Sequence, residues 1–148
     1  MCTFSSRFVF LFGLWLLSNF GWAETLVIKN LISVYDGDTI KVDLDFAGPA
    51  IFSRNISVRI LGIDTPEMHG QCESEKVLAQ QAKAWLQFTL ANAQRVELHN
   101  VARDKYFRVL ADLVVDGKRV ADQLIEKGLA RAYDGGRKTP WCEPKKTH

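Results

Sequence analysis

The sequence predicts a small α+β domain, because five β-rich runs are combined with one long and one short amphipathic helical stretch. The predicted strands are residues 25–34, 39–46, 55–63, 95–101 and 109–115. The long helix, residues 73–91, lies between the third and fourth strands, and the short helix, residues 120–127, follows the fifth. A five-stranded OB-fold β-barrel has this combination of elements, and we expect it here.

Turn-forming residues separate these elements. Asp36-Gly37-Asp38 lies between the first two strands, Pro66 follows the third, and Asp116-Gly117 closes the fifth with a hairpin-type turn. Gly128 is placed as the C-terminal stop of the short helix. Apolar residues of the long helix recur every three or four positions, which predicts that this stripe faces the core: Leu78, Ala82, Trp85, Phe88 and Ala91.

A secretory signal peptide is predicted at residues 1–23. Arg7 supplies a positive charge, an apolar run follows it, and Gly21-Trp22-Ala23 places small residues at the −3 and −1 positions of a cleavage site. A retained membrane anchor is the alternative, but the apolar run is shorter than the roughly 20 residues of a spanning helix. We expect cleavage after Ala23, a mature domain 24–148 that is secreted or periplasmic, and no stable membrane association.

The mature chain is nearly neutral. Of the 19 basic residues only Arg7 is lost with the signal peptide, which leaves 18 against 17 acidic residues. A protein that coats nucleic acid through bulk charge is strongly basic, so the composition excludes that class. If this protein handles a polyanion, it does so with a few placed cations.

Cysteine usage agrees with export. Cys2 lies in the predicted signal peptide, which leaves Cys72 and Cys142 as an even pair in an oxidising compartment. We predict a disulfide between them, with two free thiols as the alternative. Neither cysteine has a partner at metal-ligand spacing, which disfavours a zinc site.

Candidate chemistry concentrates in two short segments, Asp36-Gly37-Asp38-Thr39 and the stretch from Arg59 to Glu67. Arg59 is an arginine on an otherwise apolar strand, so it needs a partner or a ligand, and Asp64 could be that partner. Asp64 and Glu67 are grouped around Pro66 at the end of this strand. Oxygen donors without histidine or cysteine beside them favour a hard cation such as Ca²⁺.

Three sequence blocks resemble the signature of staphylococcal nuclease homologues. They are Asp36-Gly37-Asp38-Thr39, Arg59 with Ile63-Asp64-Thr65-Pro66-Glu67, and Asp104-Lys105-Tyr106-Phe107-Arg108. The likeness continues through Asp116-Gly117-Lys118 and residues 126–130 and reaches Tyr133. It therefore spans nearly the whole mature chain, and three blocks in order at compatible spacing make a specific match.

The resemblance implies a hydrolase of the nuclease class that cuts DNA or RNA at the P–O5′ bond and leaves 3′-phosphate ends. It implies that Asp38, Asp64 and the backbone carbonyl of Thr65 bind Ca²⁺. Glu67 would act as the general base on the attacking water.

The resemblance also implies a set of phosphate contacts. Arg59 and Arg108 would bind the scissile phosphate, where a planar guanidinium can make paired hydrogen bonds. Lys105 and Tyr106 would contact the neighbouring phosphate, and Tyr133 would pack near the nucleotide.

Two features depart from the family pattern. Phe107 stands where the family most often has glycine, and its bulk can change how Arg108 reaches the phosphate. Residues 134–142 do not resemble the helical C-terminus of the staphylococcal enzyme. We hypothesise that the bond from Cys142 to Cys72 pins this segment against the loop after Glu67 and rigidifies one wall of the active site.

Each of these residues also has a purely structural explanation. Asp36 can be a turn former, Arg59 can be an ion-pair partner within the barrel, and Glu67 can cap the loop before the long helix. Lys105 and Tyr106 can belong to a solvated loop. Taken together with Arg108, such explanations require several independent coincidences in the same order as the family blocks.

Two functions compete at this point. One is an active, monomeric Ca²⁺-dependent nuclease outside the cytoplasm, with DNA and RNA as substrates. The other is a non-catalytic OB-fold module of the cell envelope that binds nucleic acid. Loss of the metal acids or of either arginine would favour the module, and none is missing here. A phosphodiesterase for a substrate other than nucleic acid is a third alternative.

Overall fold

A computed structural model describes residues 25–104 and 108–142 of the chain. The predicted signal peptide, residues 1–23, lies outside the described residues. Lys105, Tyr106 and Phe107 lie outside them as well. Among the helices that are described, none is long and apolar enough to cross a membrane.

The described chain folds into eight strands and two α-helices. The strands are β1 (Leu26–Val34), β2 (Thr39–Leu44), β3 (Ile56–Ile60), β4 (Ile63–Asp64), β5 (Val96–Arg103), β6 (Val109–Val115), β7 (Lys118–Arg119) and β8 (Arg131–Ala132). The helices are α1 (Glu73–Ala91) and α2 (Val120–Glu126), and a single 3-10 turn covers Ala50–Phe52. The predicted bounds of the long helix are confirmed.

Five of the strands close into a barrel. They are hydrogen-bonded in the order β3-β2-β1-β5-β6, and β3 then pairs with β6 in parallel, with Arg59 opposite Leu110. All other barrel pairings are antiparallel. The structure thus confirms the predicted α+β class and the five-stranded OB-fold barrel, with α1 between the third and fourth barrel strands.

The core fills the barrel and is closed by the two helices. Its fully buried members include Ile40, Val58, Ile60, Leu98 and Leu113 from the strands. The predicted core stripe of α1 is wrong in part. Phe88 is 69% exposed, whereas Leu86 and Leu90 are buried against the barrel. Helix α1 carries two neighbouring rows of apolar residues. The row that is buried against the barrel contains the smaller and aliphatic side chains Ala79, Ala82, Leu86 and Leu90.

The third predicted strand is shorter than expected. β3 ends at Ile60 rather than Ile63, because Gly62 adopts a φ of +83° that an extended strand cannot contain. The chain then turns, and Ile63 and Asp64 form the separate strand β4, paired antiparallel with β8. This break redirects Asp64 away from the barrel strands and towards the C-terminal part of the chain.

The turn before β2 rests directly on α1. A Cβ atom at Gly37 would lie 2.8 Å from the Cβ of Ala82 and 3.0 Å from Cγ2 of Thr65. Real Cβ contacts are longer than this, so glycine is required by the close approach. This contact fixes the distance between the turn that carries Asp38 and helix α1.

A buried carboxylate attaches α2 to the barrel. Asp112 on β6 accepts hydrogen bonds from Arg119 Nη2 and from Asn100 Nδ2, both at 2.7 Å. Burial raises the pKa of Asp112, but the hydrogen bonds from Arg119 and Asn100 outweigh it, and the pKa is lowered overall. Arg119 also contacts the exposed Asp122 at 3.1 Å.

We expect Asp112→Ala to lower the free energy of unfolding by about 2 kcal/mol, because it removes a buried carboxylate that accepts hydrogen bonds from two side chains, one of them charged. Asp122→Ala removes the other, solvent-exposed contact of the same arginine and should cost about 0.5 kcal/mol. Urea unfolding of the two variants measures the difference. Equal losses would show that burial of Asp112 does not govern this attachment.

Candidate active site

Asp38 lies immediately before β2, where β2 and β3 pair. Thr39 is opposite Arg59 in this pairing, and the Ile60 amide donates to the Asp38 carbonyl at 2.8 Å. Arg59 Nη1 consequently reaches Asp38 Oδ1 at 2.6 Å. Thr39 Oγ1 donates to the same oxygen at 3.0 Å, and the Thr65 amide donates to the other at 3.4 Å. Donors from three chain segments therefore converge on this carboxylate.

Asp38 is held in a poorly hydrated position. Burial raises its pKa from 3.8 to about 6 against the opposing charge of Arg59, and the charge of Asp36 adds to the rise. Hydrogen bonds from Thr39 and Thr65 act in the lowering direction. The side chain of Asp36 accepts a hydrogen bond from the Asp38 amide at 3.0 Å. This is the contact of a turn-forming aspartate, the structural role that the sequence allowed for Asp36.

Asp64 and Glu67 both contact one lysine of the C-terminal segment, residues 134–142. Lys138 Nζ lies 2.6 Å from Asp64 Oδ1 and 3.0 Å from Glu67 Oε1. Asp64 is buried, whereas 62% of the Glu67 side chain is exposed. Burial lowers the pKa of Lys138, but its interactions with the two carboxylates outweigh this, and the pKa is raised overall. The ammonium therefore keeps its charge between the two acids.

The second oxygen of Asp64 accepts a hydrogen bond from Trp141 Nε1 at 3.1 Å. The guanidinium of Arg131 lies over the Trp141 ring, 4.0 Å from its centroid. Arg131 also donates to the carbonyls of Thr139 and Pro140, at 3.3 and 3.0 Å. Because Arg131 pairs with Asp64 in the β4–β8 ladder, one strand residue holds the segment that covers the acid.

Cys72 and Cys142 form a disulfide, with their Cα atoms 5.9 Å apart, at the start of α1. Glu75 lies buried in the first turn of this helix. Its carboxylate accepts hydrogen bonds from the amides of Glu67 and Gln71, at 3.3 and 3.0 Å. Glu75 therefore holds the backbone of the loop that carries Glu67 through these hydrogen bonds. The disulfide places the C-terminal segment beside this loop.

A cleft of about 840 Å³ opens beside these residues. Four of the predicted functional residues line it: Arg59, Glu67, Arg108 and Tyr133. Its charged lining residues comprise four cations and three acids, namely Lys41, Arg59, Arg108, Lys138, Asp36, Glu67 and Asp104. The predicted metal ligands are buried beneath this lining, where Asp38 contacts Arg59 and Asp64 contacts Lys138.

Arg108 is oriented by Asp104, which lies four positions earlier in the chain. Its Nε donates to Asp104 Oδ2 at 2.8 Å, and its amide donates to Oδ1 at 2.9 Å. The Asp104 amide in turn donates to the Arg108 carbonyl at 3.0 Å. The intervening Lys105 and Tyr106 lie outside the described residues, so their predicted phosphate contacts stay predictions.

Tyr133 enters the cleft directly after β8. Its amide donates to the carbonyl of Gly62 at 2.9 Å, which extends the pairing with the turn after β3. Its hydroxyl donates to the carbonyl of Gly136 at 3.0 Å. The ring is half-buried and forms part of the wall on the C-terminal side.

The structure differs from the sequence-based expectations at two points. Arg59 pairs with Asp38, not with Asp64, because the β2–β3 pairing sets Asp38 beside it while Gly62 turns Asp64 away. Lys138, Trp141 and Glu75 were not predicted as site residues. The predicted tether of Cys142 was the available signal for the first two. Glu75 offered none, because an acid in a first helical turn is common.

Among the predicted metal ligands, Asp64 fits a hard cation. Asp64 Oδ1 is buried, and among the described residues no donor meets it in hydrogen-bonding geometry. The group that approaches it is a cation, the Lys138 ammonium at 2.6 Å, which also contacts Glu67. A carboxylate oxygen in this situation is suited to a positive charge, and oxygen donors suit Ca²⁺ or Mg²⁺.

A different cluster does not fit a metal. Within residues 25–104 and 108–142, ligand-type atoms of Cys72, Glu75 and Cys142 lie within 4.8 Å of one another. Both sulfur atoms belong to the disulfide, so neither is available as a thiolate.

Comparison with known proteins shows which family this sequence matches. Residues 57–146 match the family described as "Staphylococcal nuclease homologue". The SPbeta prophage-derived endonuclease YokF of Bacillus subtilis (strain 168) is 36% identical over 120 residues, covering 73% of this chain and 35% of the relative. Endonuclease YncB of the same organism is 35% identical over 119 residues, covering 73% and 49%.

A thermonuclease of Staphylococcus hyicus is 31% identical over 104 residues, covering 70% of this chain and 57% of that protein. The aligned part therefore spans between about a third and somewhat more than half of the lengths of these relatives. The family match covers more than half of this chain and includes Arg59, Asp64, Glu67 and Arg108. The chain belongs to the family of staphylococcal nuclease homologues.

Proposed function

We propose that this protein is a secreted or periplasmic, Ca²⁺-dependent nuclease that hydrolyses phosphodiester bonds in DNA and RNA and leaves 3′-phosphate ends. One observation carries the proposal: Arg59, Arg108 and Glu67 line a single cleft, and buried carboxylates lie directly beneath it. The disulfide agrees with export. Family membership and relatives named as endonucleases support the reaction class.

The two arginines enter the cleft from strands that pair with each other. Arg59 lies on β3, and Arg108 immediately precedes β6, whose residue Val109 is opposite Val58. Attack on a phosphodiester builds negative charge on the equatorial oxygens, and guanidinium groups on two sides would neutralise it. Each arginine is oriented beforehand by an acid, Asp38 for Arg59 and Asp104 for Arg108, so little reorganisation is needed.

Glu67 is the acid best placed to accept a proton. Its side chain lies in the cleft and is mostly exposed, while its backbone is held by Glu75. A water molecule beside it would donate a proton to the carboxylate while attacking phosphorus. Before a metal ion binds, Lys138 contacts this carboxylate.

Asp38, Asp64 and the Thr65 carbonyl are the proposed ligands of Ca²⁺. When bound, such an ion supplies Lewis-acid stabilisation to a phosphate oxygen. Asp64 provides the buried oxygen without a hydrogen-bond donor, and Asp38 lies within reach of the same backbone, since the Thr65 amide donates to it. Two direct carboxylates are few, so we expect a dissociation constant on the order of 10⁻⁴–10⁻³ M.

A binding module without catalysis is the second candidate, and one observation favours it. Lys138 already places one positive charge between Asp64 and Glu67, so these two acids are partly compensated without a metal ion. Such a module would hold nucleic acid through Arg59 and Arg108 and leave it intact.

Digestion of plasmid DNA and of RNA by the mature protein separates these two candidates. We expect cleavage with Ca²⁺, none with a chelator, and a loss of about 10³-fold or more with Asp38→Ala. Mass spectrometry of the products should find 3′-phosphates. Binding without cleavage in every condition would favour the module, and equal cleavage with and without chelator would rule out the metal mechanism.

Arg59→Ala and Arg108→Ala should each lower kcat by about 10³-fold, because each removes charge stabilisation from the transition state. Arg95→Ala is a matched control, since Arg95 is an exposed arginine that pairs with Glu97 outside the cleft. Single-turnover cleavage measures the chemical step. If Arg95→Ala reduced the rate as strongly as the other two, the effect would reflect overall charge.

The raised pKa of Asp38 predicts a pH dependence of stability in the absence of metal. A raised pKa means that the folded state binds the proton more tightly, so Asp38 contributes stability below about pH 4 and loses it as pH rises through about 6. Wild type should therefore lose stability relative to Asp38→Asn across this window. Urea unfolding in chelator at several pH values tests this, and a constant difference would contradict it.

A further inference from the structure

The C-terminal segment occupies both oxygens of Asp64. Lys138 Nζ lies 2.6 Å from Oδ1, and Trp141 Nε1 donates to Oδ2 at 3.1 Å. These two contacts differ in kind. Trp141 is neutral and contacts only Oδ2, whereas Lys138 brings a positive charge to Oδ1, for which the described residues provide no donor in hydrogen-bonding geometry.

The segment is fastened independently of these two contacts. The disulfide joins Cys142 to Cys72 at the start of α1. Arg131 holds the backbone of Thr139 and Pro140 through two hydrogen bonds and stacks on Trp141. The backbone beside Lys138 is thus held near Asp64 whether or not the ammonium is in contact, which gives the ammonium a high effective concentration at the acid.

Lys138 itself can leave. Its side chain is 46% exposed and lines the open cleft, so the ammonium can return to water by rotation about its side-chain bonds. Trp141, stacked under Arg131, can stay and keep Asp64 oriented. A neighbour that donates to one oxygen of a ligating carboxylate fixes the direction of the other oxygen.

We propose that Lys138 is a built-in competitor for the divalent cation at Asp64, held in place by the disulfide-anchored segment. This inference rests on the proposed metal-dependent function. A cation lies beside Asp64 in either state, so the metal-free protein does not leave Asp64 and the neighbouring Glu67 without a positive charge. The divalent cation must displace the ammonium of Lys138. The contact between Lys138 and Asp64 therefore lowers the apparent affinity of the protein for the cation.

Calcium titration of the mature protein by calorimetry, without nucleic acid, tests the proposal. Lys138→Met keeps the length of the side chain and removes the charge, so we expect Ca²⁺ to bind about tenfold more tightly, which corresponds to about 1.4 kcal/mol. Lys138→Arg retains a cation and should bind Ca²⁺ within about threefold of wild type.

Lys118→Met is the matched control, because it removes one positive charge at an exposed site on β7, outside the cleft lining. Its calcium affinity should equal that of wild type. Equal dissociation constants for wild type and Lys138→Met would overturn the competitor role and leave the metal site intact. Absence of calcium binding in both proteins, with both folded, would instead remove the proposed metal-dependent function.

The role of the disulfide is tested by replacing Cys72 and Cys142 with serine in two backgrounds. In wild type this change should tighten calcium binding severalfold, because the competitor is no longer held beside Asp64. In the Lys138→Met background it should have no further effect. A similar tightening in both backgrounds would contradict the tether, and if the serine variant does not fold, the comparison at position 138 still decides the main proposal.

Discussion

The parallel pairing of β3 with β6 is the constraint on which the site depends. Without it the sheet would be open, and Arg59 and Arg108 would lie on distant edges. Pairing places Arg59 opposite Leu110, two residues after Arg108, while the antiparallel partner β2 sets Thr39 on the other side of Arg59. Asp38 precedes Thr39, so the two pairings of β3 together bring an acid and two arginines close to one another.

Each buried acid of the cleft floor is balanced by a cation from a different part of the chain. Asp38 pairs with Arg59 across the barrel, and Asp64 pairs with Lys138 from the C-terminal segment. A buried carboxylate without such a partner would be costly, so these pairs stabilise the two acids when no ligand is bound. In the proposed reaction Arg59, already oriented by Asp38, would bind the phosphate, and Lys138 would give way to the metal. The ammonium of Lys138 thus lies where the cation would bind.

Local patterns in the sequence predicted the strands and the bounds of α1, and together with the family resemblance they identified four of the residues that line the cleft. Neither predicted the features that depend on a tertiary contact. Gly62 could have continued β3, and only its positive φ ends the strand. Phe88 fits an apolar row as well as Leu86 does, and packing against the barrel selects between them. Lys138 and Trp141 reach acids that lie more than 70 positions away, so no local pattern points to them.

The contact between Gly37 and Ala82 limits how this scaffold can diverge. Their backbones approach so closely that a methyl group at position 37 would overlap the one at 82. The two positions therefore share one small volume, and neither can enlarge alone without lifting the turn that holds Asp38. Helix α1 can vary freely on its solvent side, as exposed Phe88 illustrates. On the side that touches the turn, a larger residue in the helix would displace Gly37 and with it Asp38. Substitutions on that side therefore alter the cleft.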